Sequence, residues 1–376
     1  MTFKPFQAAA ALCVLAACSA GESRSNAAEQ GRQAARPADR PFAVVDVARF
    51  DTPWAMAFLT GSGRPLLDLA LVSEKAGRLW LVDSRTGRRW PVGGVPPVKV
   101  AGQGGLGDVV VHPEFVVNHR VYLSFVEAGR GGTSGAAVGY GTLDLRNRER
   151  PALRDFRVIW RQQPKVSGDG HFSHRIAFAP DGSMFVSSGD RQKMAPAQDR
   201  SSDLGKIIHM TAEGQRIGGA FHTLGHRNVL GLAFTADGRL WANEMGPRGG
   251  DEVNLIERGR NYGWPRASYG SHYDGAPIPD EHRSRGFEEP KVWWTPSISP
   301  AGMIIYSGDL FPQWKGDILM GALSGQALIR VDVNGAAARK GDRWDMGERI
   351  REVEQGPGGE VYLLEDGGRL LRLTPA

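Results

Sequence analysis

Short apolar runs separated by tight polar turns make up most of the chain. Residues 176–190 and 232–246 each contain an apolar run, an Asp-Gly turn and a second apolar run, and the turn residues Asp181 and Asp237 lie 56 positions apart. Asp-Gly between alternating apolar runs is a strong hairpin signal, because glycine readily adopts the positive φ that a two-residue turn requires. The pattern predicts a protein built from repeated antiparallel hairpins.

The same hairpin signature returns elsewhere in the chain. It recurs around Gly358, 121 positions beyond Asp237, and further copies occupy residues 70–83 and, with a longer turn, residues 109–127. A period of roughly 55–60 residues over about 335 residues gives about six units, and units of this length are typical of β-propeller blades. We therefore predict an all-β, six-bladed β-propeller. The alternative is a two-sheet sandwich, but the constant spacing argues against it.

The composition suits many short strands and argues against some classes of function. The 376 residues include 50 Gly, 23 Pro and 10 Trp, and the net charge is +5. The basic residues are dispersed, so we expect no nucleic-acid partner, although the positive charge favours anionic ligands. The chain also lacks the strand, glycine-rich loop and helix that mark an NAD site.

The first eighteen residues resemble an export signal. Lys4 precedes an apolar run, residues 6–17, that is too short to span a bilayer. The segment Leu-Ala-Ala-Cys that ends at Cys18 resembles a bacterial lipobox, in which Cys18 would carry lipid and tether the protein to the outer membrane, facing the periplasm. The alternative is a soluble periplasmic protein that is cleaved near Ala20.

The remainder of the chain divides into a polar tether and one large domain. Residues 19–41 are polar, with no periodic apolar pattern, and the propeller domain is predicted to occupy residues 42–376. Both cysteines, Cys13 and Cys18, lie in the signal segment. The domain therefore contains no disulfide and no cysteine-based metal site.

Residues 244–265 form a loop rich in glycine and proline that carries several oxygen donors. The carboxylates of Asp251 and Glu252 and the backbone carbonyls of Gly246 and Pro247 are hard donors of the kind that Ca²⁺ prefers. A turn that binds no ligand is the alternative reading of this loop taken alone.

A second motif, TLGHRNVLGLAF at residues 223–234, lies just upstream of this loop. The ordered pair resembles the soluble PQQ-dependent sugar dehydrogenases, the glucose/sorbosone dehydrogenase family, and the resemblance extends from about Phe42 to Pro375. It implies a six-bladed propeller that uses PQQ and Ca²⁺ to oxidise aldose sugars at C1 to aldonolactones. Electrons would then pass to a quinone or another periplasmic acceptor.

The resemblance also implies a catalytic set. His171 stands in a His-Phe-x-x-Arg motif that matches the family's catalytic base, Asp190 matches an aspartate that orients this histidine, and Arg227 would stabilise charge on the reduced cofactor. Taken alone, His171 is better interpreted as a loop histidine bonded to a backbone carbonyl, and it is the resemblance that favours the base. His174 has no match in the family and is interpreted as structural.

Cofactor contacts follow from the same resemblance. PQQ is a planar quinone with three carboxylates, and guanidinium groups suit carboxylates. The residues that match the family's PQQ contacts are Gln103, Arg227, Asn228, Arg349 and Arg351. Because side chains two apart on a strand share one face, we expect Arg349 and Arg351 to point the same way.

The metal ligands are likewise implied by the family. The carbonyls of Gly246 and Pro247 would hold a catalytic Ca²⁺, whereas Glu252, the carbonyl of Tyr262 and Glu288 would form a second, structural Ca²⁺ site.

Two positions depart from the family pattern. Met245 stands where relatives carry Gln or His, and Ser324 stands where several carry a lysine directed at PQQ. These departures motivate one alternative function, a non-catalytic propeller that binds carbohydrate or protein. A calcium-dependent propeller lactonase is another. The arginines and His171 together favour the oxidoreductase, and residues 268–286 are predicted to shape the substrate pocket.

Overall fold

The computed structural model describes residues 40–59 and 68–376, and strands dominate its regular structure. Strands are numbered in chain order from β1 (Phe42–Arg49). Blade 1 contains β2 (Pro53–Phe58), β3 (Leu69–Glu74), β4 (Arg78–Asp83) and β5 (Arg89–Pro91); blade 2 contains β6 (Leu106–Val111), β7 (Arg120–Ala128), β8 (Ser134–Asp144) and β9 (Ala152–Arg161); blade 3 contains β10 (Ser173–Phe178), β11 (Met184–Ser188), β12 (Lys206–Met210) and β13 (Thr223–Leu224).

The second half of the chain continues the same arrangement of four-stranded antiparallel sheets. Blade 4 contains β14 (Val229–Phe234), β15 (Leu240–Glu244), β17 (Asp251–Ile256) and β19 (Val292–Trp294); blade 5 contains β20 (Pro300–Ile305), β21 (Ile318–Ala322), β22 (Ala327–Asn334) and β23 (Ala337–Asp345); blade 6 contains β24 (Ile350–Gln355), β25 (Val361–Glu365), β26 (Arg369–Pro375) and β1. A separate two-stranded sheet pairs β16 (Arg248–Gly249) with β18 (Gly270–Ser271).

The ring is closed by pairing the two ends of the described chain within blade 6. Strand β1 runs antiparallel to β26, with Phe42 opposite Pro375 and Arg49 opposite Arg369. The first strands of neighbouring blades, β2, β6, β10, β14, β20 and β24, contact one another around the whole ring. Radial closure shields the strand edges. The predicted six-bladed β-propeller is therefore confirmed, and the sandwich is excluded.

The repeated Asp-Gly signal marks the turn between the first two strands of a blade. Gly182, Gly238 and Gly359 lie in these turns of blades 3, 4 and 6 with φ of 81°, 84° and 89°. The copy at residues 70–83 is different, because it joins the second and third strands of blade 1. The first hairpin of blade 5 was not predicted from the sequence, because a short 3₁₀ helix, Pro312–Trp314, replaces the Asp-Gly turn between its two strands.

The helices that the structure describes are short and lie in connecting loops. One α-helical turn, α1 (Phe115–Asn118), joins β6 to β7. The 3₁₀ helices are Arg130–Gly132, Ala195–Gln198, Arg283–Arg285 and Pro312–Trp314. No helix in the described ranges is long and apolar enough to cross a membrane.

Large aromatic side chains fill the spaces between blades. Trp241, Trp314, Trp344 and Tyr122 are each at most 2% exposed. The edge of Trp344 meets the ring of Phe42 at a centroid distance of 5.5 Å, so the N-terminal strand is packed as well as hydrogen-bonded into blade 6. Interiors packed in this way are stiff, and they present the loops at the mouth of the channel from a rigid scaffold.

One arginine ties together the strands that line the central channel. From β10, Arg175 reaches Asp108 on β6 (Nη1 to Oδ1, 3.2 Å) and Glu352 on β24 (Nη1 to Oε2, 2.5 Å). Its Nε donates to the carbonyl of Leu230 on β14 (2.7 Å), and its guanidinium lies 4.1 Å from the ring centroid of Trp54 on β2. Five blades therefore meet at this side chain.

Candidate active site

A cavity of about 460 Å³ opens where the innermost strands begin. Every blade contributes a residue to its wall, and these residues stand near the starts of the first strands: Pro53, Gln103, Ser173, Asn228, Ser299 and Arg351. Four of the five predicted cofactor contacts, Gln103, Asn228, Arg349 and Arg351, line this cavity, and Arg227 does not. The volume falls within the usual range of small-molecule sites.

His171 and Asp190 form a buried pair beside this cavity. Nδ1 of His171 lies 2.7 Å from Oδ1 of Asp190, and Asp190 is fully buried. The same carboxylate accepts hydrogen bonds from Nε1 of Trp264 (2.7 Å) and from the backbone N–H of Gln192 (2.8 Å). Because the carboxylate acts as an acceptor, the Nδ1 of His171 carries the proton, and the lone pair that can accept a proton lies on Nε2.

The backbone around His171 is unusual and is held by its neighbours. His171, Ser173 and His174 all have positive φ, between 48° and 57°, in a region that residues with a side chain seldom adopt. The side-chain oxygen Oε1 of Gln103 accepts a hydrogen bond from the backbone N–H of His171, with 2.7 Å between oxygen and nitrogen. Gln103 therefore holds the loop that presents the imidazole, a role that the sequence could not reveal.

The environment of His171 keeps its imidazole neutral. Burial lowers the pKa of His171, the hydrogen bond to Asp190 opposes that shift, and the positive charge of Arg227 lowers the pKa further. The net direction is below the ordinary histidine value, so the ring is unprotonated at neutral pH. A neutral imidazole oriented by a carboxylate is suited to act as a general base.

His174 lies on the wall of the cavity but is held in a different way. Its Nδ1 lies 2.6 Å from Oγ of Ser124, and its ring stacks on Trp54 with centroids 5.0 Å apart. Burial lowers the pKa of His174 to about 3. These contacts agree with the structural role that we expected.

Arg227 links the backbone at Asp190 to the adjacent loop. Its carbonyl accepts the N–H of Asp190 (2.9 Å), and its Nη1 donates to the carbonyl of Met245 (3.0 Å). Its Nη2 donates to the hydroxyl of Tyr273 (2.8 Å), whereas the buried Nε has no hydrogen-bond partner among the described residues. A buried guanidinium with an unsatisfied N–H is suited to an acceptor on a ligand.

The two departures from the family pattern have different surroundings. Met245 lines the cavity, and its sulfur lies 3.9 Å from Nδ2 of Asn228. Ser324 shares a hydrogen bond of 2.8 Å with Ser299, which lines the cavity, and Ser324 itself is not among the lining residues.

Arg349 and Arg351 share a partner as expected, although Arg349 precedes β24 and the register is irregular between Ile350 and Glu352, so regular strand alternation is not the cause. Nε of each lies 2.7 Å from a carboxylate oxygen of Asp366, and all three side chains line the cavity. Burial by itself would raise the pKa of Asp366, but the two guanidiniums outweigh burial and hold it below the ordinary value. Asp366 was not selected from the sequence.

A second, much smaller cavity of about 10 Å³ lies beside the loop at residues 244–250. Glu244, Glu252, Gly246 and Tyr262 are among its lining residues. Burial and the neighbouring Glu244 raise the pKa of Glu252 well above its ordinary value. Two buried carboxylates that repel each other are a donor set that a cation would stabilise. Glu244 was not selected from the sequence.

Two other acidic residues of this region have different partners. The carboxylate of Asp251 accepts backbone N–H groups of Gly246, Ile298 and Ser299 at 2.7–2.8 Å, so it shapes the loop. Glu288 pairs with Arg260 at 3.2 Å and is not among the residues that line the small cavity. Across residues 40–59 and 68–376, no cluster of three or more His, Cys, Asp or Glu side chains is arranged to hold a metal. Backbone carbonyls would have to complete any calcium site.

Comparison with known proteins places this geometry in a family. The profile of Glucose / Sorbosone dehydrogenase matches residues 50–372. The chain belongs to this family. Over 345 residues it is 38% identical to the aldose sugar dehydrogenase YliI of Escherichia coli (strain K12), covering 87% of this chain and 91% of the relative. The resemblance identified from the sequence is thereby confirmed.

Solved structures agree with the assignment. The soluble aldose sugar dehydrogenase (Asd) of Escherichia coli, in its apo form, superposes with a TM-score of 0.83 at 36% identity, covering 89% of this chain and all of the other. The PQQ-bound aldose sugar dehydrogenase of Streptomyces coelicolor superposes with a TM-score of 0.71 at 29% identity, covering 90% of this chain and 99% of the other. Members of this family are sugar dehydrogenases, and this chain is an oxidoreductase of that type.

Proposed function

We propose that the protein oxidises aldose sugars at C1 to aldonolactones and uses PQQ and Ca²⁺ to do so. The observation that carries this proposal is the pairing of a buried, neutral His171 with Asp190 at the edge of a cavity rich in arginine. A non-catalytic binding module has no need for a histidine oriented in this way. The PQQ-bound relative supports the choice of cofactor.

The residues of the cavity fit a planar tricarboxylate. Arg349 and Arg351 form a cationic wall on blade 6, and Asn228 offers hydrogen bonds on the side of blade 4. Arg227, next to Asn228 in sequence, lines the small neighbouring cavity, and its buried Nε has no partner among the described residues. PQQ, when bound, would supply the acceptor for the hydride that leaves C1 with its two electrons. Arginine also stabilises negative charge that develops on a quinone oxygen.

The protein's own residues would move the proton. Nε2 of His171 takes the proton from the C1 hydroxyl of the sugar, and the carboxylate of Asp190 stabilises the imidazolium that results. Trp264 and Gln192 donate to Asp190 and keep its oxygens in place. The role of this network is to hold one tautomer of His171 in one orientation.

Calcium is proposed at two places. The carbonyls of Gly246 and Pro247 would hold one ion, which would act as a Lewis acid toward the cofactor. Glu252 and the carbonyl of Tyr262, with Glu244 added from the small cavity, would hold the other. Glu288 is omitted from the second site because its carboxylate pairs with Arg260.

Export from the cytoplasm is part of the same proposal. The signal segment, including Cys18, and nearly all of the tether lie outside the described residues. We propose a periplasmic protein that is held at the outer membrane by lipid on Cys18, with a quinone or a soluble periplasmic carrier as electron acceptor. The lipobox resemblance supports the attachment.

Reconstitution tests the proposed function directly. Purified apoprotein should reduce a redox dye in the presence of aldoses only when PQQ and Ca²⁺ are both added, and NAD should have no effect. Omission of either component is the control. Tight PQQ binding without turnover on a broad panel of mono- and disaccharides would favour the non-catalytic propeller, and calcium-dependent lactone hydrolysis without PQQ would favour the lactonase.

Tyr273 provides a test of the predicted substrate-shaping segment. It stands in a turn closed by hydrogen bonds between His272 and Ala276 and between Gly275 and His272, both 2.9 Å. The residue is 73% exposed, although its hydroxyl is bonded to Arg227. An exposed, anchored aromatic ring beside the site offers an apolar face to a sugar.

We expect Tyr273→Ala to raise the KM for aldoses about three- to tenfold, equivalent to roughly 0.7–1.4 kcal/mol. Tyr273→Phe keeps the ring and should stay within about twofold of the wild type. Steady-state kinetics at saturating PQQ measure this effect, and titration with PQQ provides the control. An equal loss of PQQ affinity in Tyr273→Ala would show that the residue acts on the cofactor instead.

A further inference from the structure

We propose that Lys75 is an additional anchor for the carboxylates of the bound cofactor, located on blade 1 next to the arginines of blade 6. The inference rests on the proposed function, since it concerns how the same cavity binds PQQ. The residues matched through the family resemblance do not include Lys75, and the structure alone places it on the wall of the cavity.

The backbone of Lys75 is fixed between two blades. Its N–H donates to the carbonyl of Thr52 and its carbonyl accepts the N–H of Leu106, both at 3.0 Å. Glu74, its neighbour in sequence, directs its carboxylate to Arg78 and to the backbone N–H of Asp51. The turn between β3 and β4 therefore presents the ammonium group to the cavity and its acidic neighbour elsewhere.

Within the described part of the chain, Lys75 has no carboxylate partner within ion-pair distance. Its Nζ donates to the carbonyl of Gly102, which is a neutral acceptor. This contact is exposed, so solvent reaches the ammonium group at the wall of the cavity. An ammonium group on a cavity wall with a carbonyl as its protein partner is well placed to bind an anionic ligand.

A count of charges along the wall supports this reading. The ionisable lining residues are Lys75, Arg349 and Arg351, which are cationic, Asp366, which is anionic, and His174, which burial keeps neutral. Asp366 already accepts hydrogen bonds from both arginines. The wall therefore carries two positive charges that no lining residue balances, and a ligand with two or three carboxylates would neutralise them.

The arrangement also gives the ligand an orientation. Lys75 on blade 1 and Arg349 and Arg351 on blade 6 belong to adjacent blades. His171 and Asn228 precede the first strands of blades 3 and 4, across the ring. The carboxylate-rich part of PQQ is thus assigned to blades 6 and 1, and the reacting part to blades 3 and 4.

Lys75 could instead serve only to position other residues. Its partner Gly102 precedes Gln103, whose side chain holds the backbone of His171. Loss of that support would lower turnover without weakening PQQ binding. Loss of an anion anchor would weaken PQQ binding and leave turnover at saturating PQQ nearly unchanged, because the ammonium group would contact the cofactor and not His171.

The test is a titration of full-length apoprotein with PQQ in the presence of Ca²⁺, in which tryptophan fluorescence reports the binding of PQQ. We expect Lys75→Met to weaken PQQ binding about tenfold or more, as the loss of a charge-assisted hydrogen bond predicts. Lys75→Arg should stay within about threefold, and kcat at saturating PQQ should change less than about twofold. Added salt should weaken PQQ binding by the wild type more steeply than by Lys75→Met.

Lys315→Met is the matched control, because Lys315 is exposed, pairs with Asp309 and lies away from the cavity. It removes the same charge from the protein and should leave PQQ affinity unchanged. Unaltered affinity in Lys75→Met, or a fall in kcat with unaltered affinity, would overturn the proposal. If the wild type itself does not bind PQQ, the proposed function fails and this inference fails with it.

Discussion

Replacing His171 by alanine should reduce turnover at saturating PQQ at least about 100-fold, the low end of the effect of losing a positioned general base. The imidazole is the group whose tautomer Asp190 sets, and burial keeps it unprotonated. Because the pKa of His171 lies below the ordinary value, turnover of the wild type should decline only as the pH falls beneath the usual range of histidine. Dye reduction across a pH series measures both effects.

Arg349→Ala is the complementary variant. It should weaken PQQ binding by roughly 1.5–3 kcal/mol, the cost of losing a charge-assisted hydrogen bond, and retain most of the turnover once the cofactor saturates.

PQQ affinity of His171→Ala should match that of the wild type. Near-normal turnover in His171→Ala would remove the assignment of the base, and His174, held by Ser124 and Trp54, is poorly placed to replace it.

Replacing Arg175 by methionine should lower the free energy of unfolding by about 3–5 kcal/mol, as expected when one partner of a buried ionic network is removed. The substitution would leave Asp108 and Glu352 buried without their cation and would release the carbonyl of Leu230. Urea denaturation of the purified protein measures the loss. Proteins of this size are marginally stable, so the effect should be easily resolved.

The pH dependence separates this electrostatic effect from a loss of packing. Burial already raises the pKa of Glu352 to about 7 in the intact protein, even with Arg175 beside it. A carboxyl whose pKa is raised on folding penalises the folded state above its unfolded pKa, and the penalty disappears as the pH falls. The destabilisation of Arg175→Met should therefore shrink toward acidic pH. A pH-independent loss would point to packing, and Asp108→Asn with Glu352→Gln in the Arg175→Met background should recover part of the stability.

The sequence by itself determined the architecture of the protein to a large extent. An Asp-Gly turn is a local signal, because φ preference depends on the residue itself, and its recurrence at Asp181 and Asp237 was enough to predict the blades. The motifs around His171 and Arg227 could be recognised from their residue types, an imidazole suited to proton transfer and a guanidinium suited to anionic groups. Arg349 and Arg351 were expected to share a face. Both do contact Asp366, but Arg349 precedes β24 and the register is irregular after Ile350, so the loop and not strand periodicity brings them together.

Local signals could not supply the partners of these residues. Asp366, Trp264 and Glu244 contact Arg351, Asp190 and Arg227 across 15, 74 and 17 positions of sequence. None of these contacts was predicted, because neither spacing nor periodicity reports which distant side chains meet. The contacts of Asp366 and Glu244 lie within one blade, and Trp264 reaches Asp190 from the neighbouring blade.

The tertiary structure alone decided which charges meet in the cavity and which meet in the channel. Lys75 stands in a turn with no motif around it, and Arg175 is the arginine of the His-Phe-x-x-Arg motif, which by itself says nothing of the partners of that side chain. Closure of six blades directs the first into a wall with excess positive charge and the second into a buried network that joins five blades. The physical reason is that Coulomb and hydrogen-bond energies depend on distance and burial in space, and ring closure sets both.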